Sequence, residues 1–134
     1  GVPWEPFIAS LRQTVAFSGP ASVPERNGWF DPAQVQQVLI NLLKNAHESG
    51  TAPDAVELEV RELGSEVRIE VRDRGSGMSE AVMANALVPF YSTKRSGTGL
   101  GLALAREIAE AHGGRLGLAN REGGGLAVTL SLPR

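Results

Sequence analysis

The chain has 134 residues, 42% of them hydrophobic and 21% charged, with 16 glycines and a formal net charge of −2. That length supports one domain with its own core. No basic stripe stands out, so nucleic-acid binding is not expected; the absence of cysteine excludes disulfides, thiolate nucleophiles and cysteine-based zinc sites. No apolar run approaches the roughly 18 residues a membrane span needs, and nothing at the start resembles a signal peptide. Because it opens on Gly1, the chain reads as a piece of something larger, and a membrane-bound parent stays open.

Residues 5 to 16 place Phe7, Ile8, Leu11 and Val15 at helical spacing and predict a short helix. Gly19, Pro20 and Pro24 make the stretch from Phe17 to Asn27 turn-rich, with Trp29 and Phe30 expected on a brief strand after it. The strongest helix signal is DPAQVQQVLINLLKNAHES, residues 31 to 49. Asp31 suits the N-cap, Pro32 the first helical position, and Gln34 could close a capping box. Val35, Val38, Leu39, Leu42, Leu43 and Ala46 then form one apolar stripe that ends near Gly50. Val56, Leu58 and Val60 alternate with acidic residues, and Val67, Ile69 and Val71 with charged ones; Gly64-Ser65 between them predicts a β-hairpin with one buried face. A second helical stripe, Leu100, Leu104, Ile108 and Ala111, stops at Gly113-Gly114. RLGLAN, a glycine turn at residues 123 to 125 and LAVTLSL predict a closing hairpin, completing one α/β domain.

Three stretches carry candidate chemistry. The first is VPFYSTKRSGTGLGL, residues 88 to 102. It is not a P-loop, because Lys94 precedes the glycines. Nor is it a dinucleotide fingerprint, because Leu102 stands where the third glycine is due. A glycine-rich entry into a helix still binds anions, since unpaired backbone N–H groups meet the positive end of the helix dipole. The second is DRGSGM, where Asp73 follows a strand and Gly75 and Gly77 leave room beside its carboxylate for a flat base. The third is Asn41-x-x-x-Asn45. On a helical wheel Gln34, Gln37, Asn41, Asn45 and Glu48 cluster beside the apolar stripe, where an asparagine oxygen could meet a hard cation such as Mg²⁺. A solvated polar face and an ordinary turn are the plainer readings of the last two when each is taken alone.

Taken together, NLLKNA, DRGSGM, PFYSTK and GTGLGL resemble, in order and spacing, the N, G1, F and G2 boxes of the histidine-kinase catalytic domain. That domain belongs to the GHKL superfamily of ATP-binding domains. The resemblance runs from about Asp31 to the final LSLPR. It implies a two-layer α/β sandwich, with a mixed sheet of about five strands packed on about three helices and an ATP lid. It implies that Asn45 ligates Mg²⁺ and that Asp73 accepts a hydrogen bond from the adenine 6-amino group. Gly75 and Gly77 would line the adenine pocket, and Phe90 would anchor a lid from residue 78 to about 98. Gly97, Thr98, Gly99, Leu100, Gly101 and Leu102 would cradle the phosphates, with Lys94 and Arg95 as added charge.

Asn41 stands where gyrase-like and chaperone members carry a glutamate that activates water. An asparagine cannot be a general base, so phosphoryl transfer to a protein histidine is expected rather than rapid hydrolysis. The implied partners are ATP, a phosphoacceptor dimerisation domain of a homodimeric parent, and a response regulator, with this domain cytoplasmic and free of membrane and nucleic-acid contact. The open alternatives are a GHKL-type serine kinase and a non-catalytic ATP-binding regulatory module. Glu48 and Ser49 depart from the family's frequent lysine and aromatic, and Gly125-Leu126 from its frequent Gly-Thr. His47 is expected to be an exposed bystander and His112 a helix cap, so no phosphoacceptor is expected in the chain.

Overall fold

The structure, a computed structural model, describes residues 1–87 and 101–134. Helix α1 (Trp4–Arg12) buries Trp4, Phe7, Ile8 and Leu11. It stops before the predicted end because the Arg12 guanidinium donates to the carbonyls of Phe17 and Gly19 and lies 4.7 Å over the Phe17 ring. The chain folds back there, and Val15 enters the core from outside the helix. Trp29 and Phe30 do not form a strand. Phe30 packs against Trp4 and Phe7, with ring centroids 5.3 and 5.2 Å away, while Trp29 stays 71% exposed. Aromatic packing, not pairing, fixes this segment, and only Val2 and Gly28 form a bridge beside it.

Helix α2 (Pro32–Glu48) begins as expected, with Asp31 Oδ1 accepting the Ala33 and Gln34 N–H groups at 3.0 and 3.1 Å. All six residues of its predicted stripe are buried, worth about 1.5–3 kcal/mol for each large side chain. Strands β1 (Glu57–Leu63) and β2 (Glu66–Arg72) form the predicted hairpin, turning Leu58, Val60, Val67, Ile69 and Val71 inward. Helix α3 (Glu80–Asn85) is capped by Ser79. Helix α4 (Gly101–Ala111) leads into β3 (Arg115–Asn120) and β4 (Leu126–Pro133).

The strand order is β1-β2-β4-β3, with every pair antiparallel. The α/β sandwich class holds, with four strands among the described residues. The one parallel pairing among the described residues is the Ser18–Glu57 bridge at the β1 edge, where Ser18 N–H donates to Val56 O and Leu58 N–H donates to Ser18 O.

The stripe predicted for α4 is met only at Ile108, which packs partly buried against the core. Ala103, Ala105 and Ala109 are buried, Leu104 is 41% exposed and Ala111 is exposed; Leu100 lies outside the described residues. α4 packs closely on α2, and a close seam selects methyl groups over longer side chains, so hydrophobicity alone misplaced it. The helix ends as expected, with Gly114 N–H reaching Ala109 O at 2.8 Å and Gly113 N–H reaching Glu110 O at 3.0 Å. Among the described residues no helix is long and apolar enough to cross a membrane.

The sheet's outer face carries paired charges. Burial of Arg72 works against its charged form, but Glu70, Glu59 and Glu57 around it outweigh that and raise its pKa. The hydrogen bonds from Arg115 and Arg68 hold the Glu66 carboxyl below the usual glutamate value. Its folded pKa being lowered, Glu66 contributes stability that is complete above the unfolded value and lost as pH falls through the folded one. Acid unfolding of Glu66→Gln should therefore show a slightly shallower fall than the parent chain, and only slightly, because exposed pairs are well screened.

Candidate nucleotide site

Asp73 immediately follows β2 and is 7% exposed. Its Oδ1 accepts two backbone N–H groups, from Gly75 and Leu126, each at 3.0 Å. Its own N–H donates to Leu126 O at 3.0 Å, and its carbonyl accepts from Arg121 at 2.8 Å. Oδ1 is thus fixed by protein donors, while Oδ2 has no hydrogen-bond partner among the described residues. A buried carboxylate with one oxygen held and one left over is a pre-aimed acceptor for a ligand N–H.

The glycines around it are required by close approach. Gly77 has φ +73, and a Cβ there would lie 2.5 Å from Asn120 Oδ1. Gly125 has φ +107, and its Cβ would overlap the Asp73 carbonyl oxygen. Asn120 grips Met78 at both ends, its Oδ1 accepting the Met78 N–H at 2.8 Å and its Nδ2 donating to the Met78 carbonyl at 2.7 Å. The loop after β2 is therefore tied down by the β3–β4 turn.

Helix α2 reaches the same place with its C-terminal end. A Cβ on Gly75 would lie 2.7 Å from Ser49 Cβ. Ser49 Oγ donates to Ala46 O at 2.6 Å and lies 2.8 Å from Thr51 Oγ1, which accepts the Arg74 N–H at 2.9 Å. With the Ser49 proton committed to Ala46, Thr51 must donate to Ser49, giving a directed chain from the glycine loop to the helix end. One turn earlier, Asn45 Nδ2 lies 3.8 Å from where a Gly101 Cβ would stand, at the start of α4. Asn41 Oδ1 accepts the Gln37 carboxamide N–H at 3.0 Å.

The structure thus brings Asn45, Gly75 and Gly101 around one helix end, with Gly75 hydrogen-bonded to Asp73. Gly77 lies in the same loop, Asn41 is one turn back on α2, and Leu102 packs partly buried against the core. Phe90, Lys94, Arg95, Gly97, Thr98, Gly99 and Leu100 lie outside the described residues.

Sequence reasoning passed over Asn120, Arg121 and Thr51. Asn120 and Arg121 sit just before the glycine turn that opposes Asp73, which is a usable signal only once the β2–β4 register is known. Ser49 stood out as a departure from the family pattern, and it is the residue against which Gly75 rests. His47 is half-buried rather than exposed, its Nε2 2.7 Å from Ala16 O; that bond ties α2 to the turn after α1. A cavity of about 360 Å³ is lined by Trp4, Phe30, Val67 and Leu132. It lies at the opposite end of β2 and β4 from Asp73, roughly 20 Å away along seven residues of strand.

The chain belongs to the histidine kinase-, DNA gyrase B- and HSP90-like ATPase family, whose model matches residues 30–134. Within that family it is of the histidine-kinase catalytic-domain type. It is 42% identical over 107 residues to the C4-dicarboxylate transport sensor protein DctS of Rhodobacter capsulatus, covering 77% of this chain and 16% of that one. It is 39% identical over 103 residues to the sensor histidine kinase ZraS of Escherichia coli (strain K12), covering 77% and 22%. A nucleotide-free structure of the catalytic domain of histidine kinase ThkA superimposes with a TM-score of 0.81 at 26% identity, covering 98% of this chain and 92% of that one. The aligned region is thus about a fifth of the length of these two sensor proteins.

Proposed function

We propose that this chain is a single domain that binds Mg·ATP and presents its γ-phosphoryl to a histidine on a separate dimerisation domain of the same parent. The observation that carries the reading is the meeting of three motifs at one end of α2: Gly75 against Ser49, Gly101 beside Asn45, and Asp73 bonded to Gly75. Asp73 Oδ2 would accept the adenine 6-amino N–H, and the loop closed by Asn120 would hold the base beside it. A guanine offers a carbonyl at that position, which a carboxylate repels, so adenine is selected.

The start of α4 would receive the phosphates, as helix starts receive anions, with Gly97, Thr98, Gly99, Leu100, Lys94 and Arg95 assigned to the same task. Asn45 fits a magnesium ligand by donor chemistry. Among the described residues no group of three or more acidic, histidine or cysteine side chains could hold a metal, and Mg²⁺ is commonly held by one or two protein oxygens with phosphates and water completing its shell. When bound, that ion neutralises phosphate charge. Asn41, its oxygen accepting from Gln37 and its amide without basicity, supplies no base for water attack, so positioning rather than hydrolysis is the domain's contribution.

The parent is read as a homodimeric sensor that passes the phosphoryl on to a response regulator, with this domain on the cytoplasmic side. Calorimetric titration of the chain with Mg·ATP analogues tests the reading. Adenine nucleotide should bind, guanine nucleotide should bind at least tenfold more weakly, and steady-state hydrolysis should be negligible. Equal affinity for the two bases, or brisk hydrolysis, would refute it.

A further inference from the structure

The imidazole of His112 joins two helices. Nε2 lies 3.1 Å from the Asp31 backbone nitrogen and Nδ1 lies 2.8 Å from Ile108 O. The Asp31 N–H can only donate, so Nε2 carries the lone pair and Nδ1 the proton, which goes to Ile108. Asp31 is the N-cap of α2, and its N–H is the group a capping box satisfies from the third helical position. Gln34 occupies that position, and the expected bond is made by His112 instead. One ring therefore closes the start of α2 and binds a carbonyl in the last turn of α4.

The two helices run antiparallel, since the start of α2 meets the end of α4 while Asn45, near the end of α2, meets Gly101 at the start of α4. On α4, Ala105 and Ala109 are fully buried and Ile108 packs partly buried against the core. The His112 bonds join the last turn of α4 to the start of α2, where they can set the register of one helix along the other.

We propose that His112 is a positioning residue. It fixes the axial register of α4 against α2, and through it the separation of Asn45 from the first turn of α4, about 20 Å away along the helices. This rests on the nucleotide-site reading for its functional consequence, but not for its structural one.

The test compares the parent chain, His112→Ala, and His112→Ala combined with Gln34→Glu. The last restores a capping-box partner for Asp31 within α2 without restoring the link to α4. Thermal stability should fall in the single variant and largely return in the double one, while Mg·ATP-analogue affinity should fall roughly three- to tenfold in both. Without nucleotide, the Gly101 backbone amide and Asn45 side-chain amide resonances should shift in both variants. Return of affinity together with stability would reduce His112 to a cap and overturn the proposal, as would unmoved Gly101 and Asn45 resonances. Failure of the parent chain to bind nucleotide would instead sink the nucleotide-site reading, with those resonances still deciding the register.

Discussion

Asp73→Asn is expected to weaken adenine-nucleotide binding by about 10- to 100-fold while leaving the domain folded. The carboxamide oxygen can still accept the Gly75 and Leu126 N–H groups that Oδ1 now receives. The amide NH₂ then stands in place of Oδ2 and opposes the adenine amino group, donor against donor. A hydrogen bond to a charged acceptor is worth about 1.5–3 kcal/mol, which sets that range. Circular dichroism should report an unchanged fold and calorimetry the lost affinity. Asp73→Ala separates the two roles further: it strands both N–H groups in a buried site, adding about 1–3 kcal/mol of destabilisation for each. Full affinity in the Asn variant would remove Asp73 from base recognition.

Gly125→Ala should be the most disruptive single-methyl change at the site. Its φ of +107 is strained for any residue with a Cβ, and that Cβ would overlap the Asp73 carbonyl oxygen. Backbone and steric costs together are on the order of 3 kcal/mol or more, and relief requires Asp73 to move. Nucleotide affinity should fall with stability. Gly123→Ala is the matched control: its φ is +83, but nothing lies within 4 Å of its Cβ. It should cost about 1–3 kcal/mol of strain and leave binding intact. A Gly125 variant as stable as the Gly123 variant would contradict the described packing between the β3–β4 turn and Asp73.

Much of this was legible in the sequence where one force dominates. The α2 stripe and its Asp31 cap, the β1–β2 hairpin with Gly64-Ser65 at its turn, and the Gly113-Gly114 stop follow from local periodicity and local hydrogen bonding, and each is found. Reading failed where tertiary geometry chose between local options. Alanines rather than Leu104 are the buried residues of α4, and Phe30 left a possible strand for the Trp4–Phe7 cluster. The capping box was closed by His112, eighty-one residues from its N–H partner, where no short-range pattern could announce it.

At the site, Asp73 and its two glycines were visible as a motif. Asn120 and Arg121 were not, because their role depends on the β2–β4 register that sets Leu126 opposite Asp73.

The most direct measurement extends the chain to the proposed phosphoacceptor domain, incubates it with γ-labelled Mg·ATP and challenges the bound label with acid and alkali. The account predicts label that is lost in acid and kept in alkali, the behaviour of phosphohistidine. Acid-stable label, or none despite tight nucleotide binding, would contradict it.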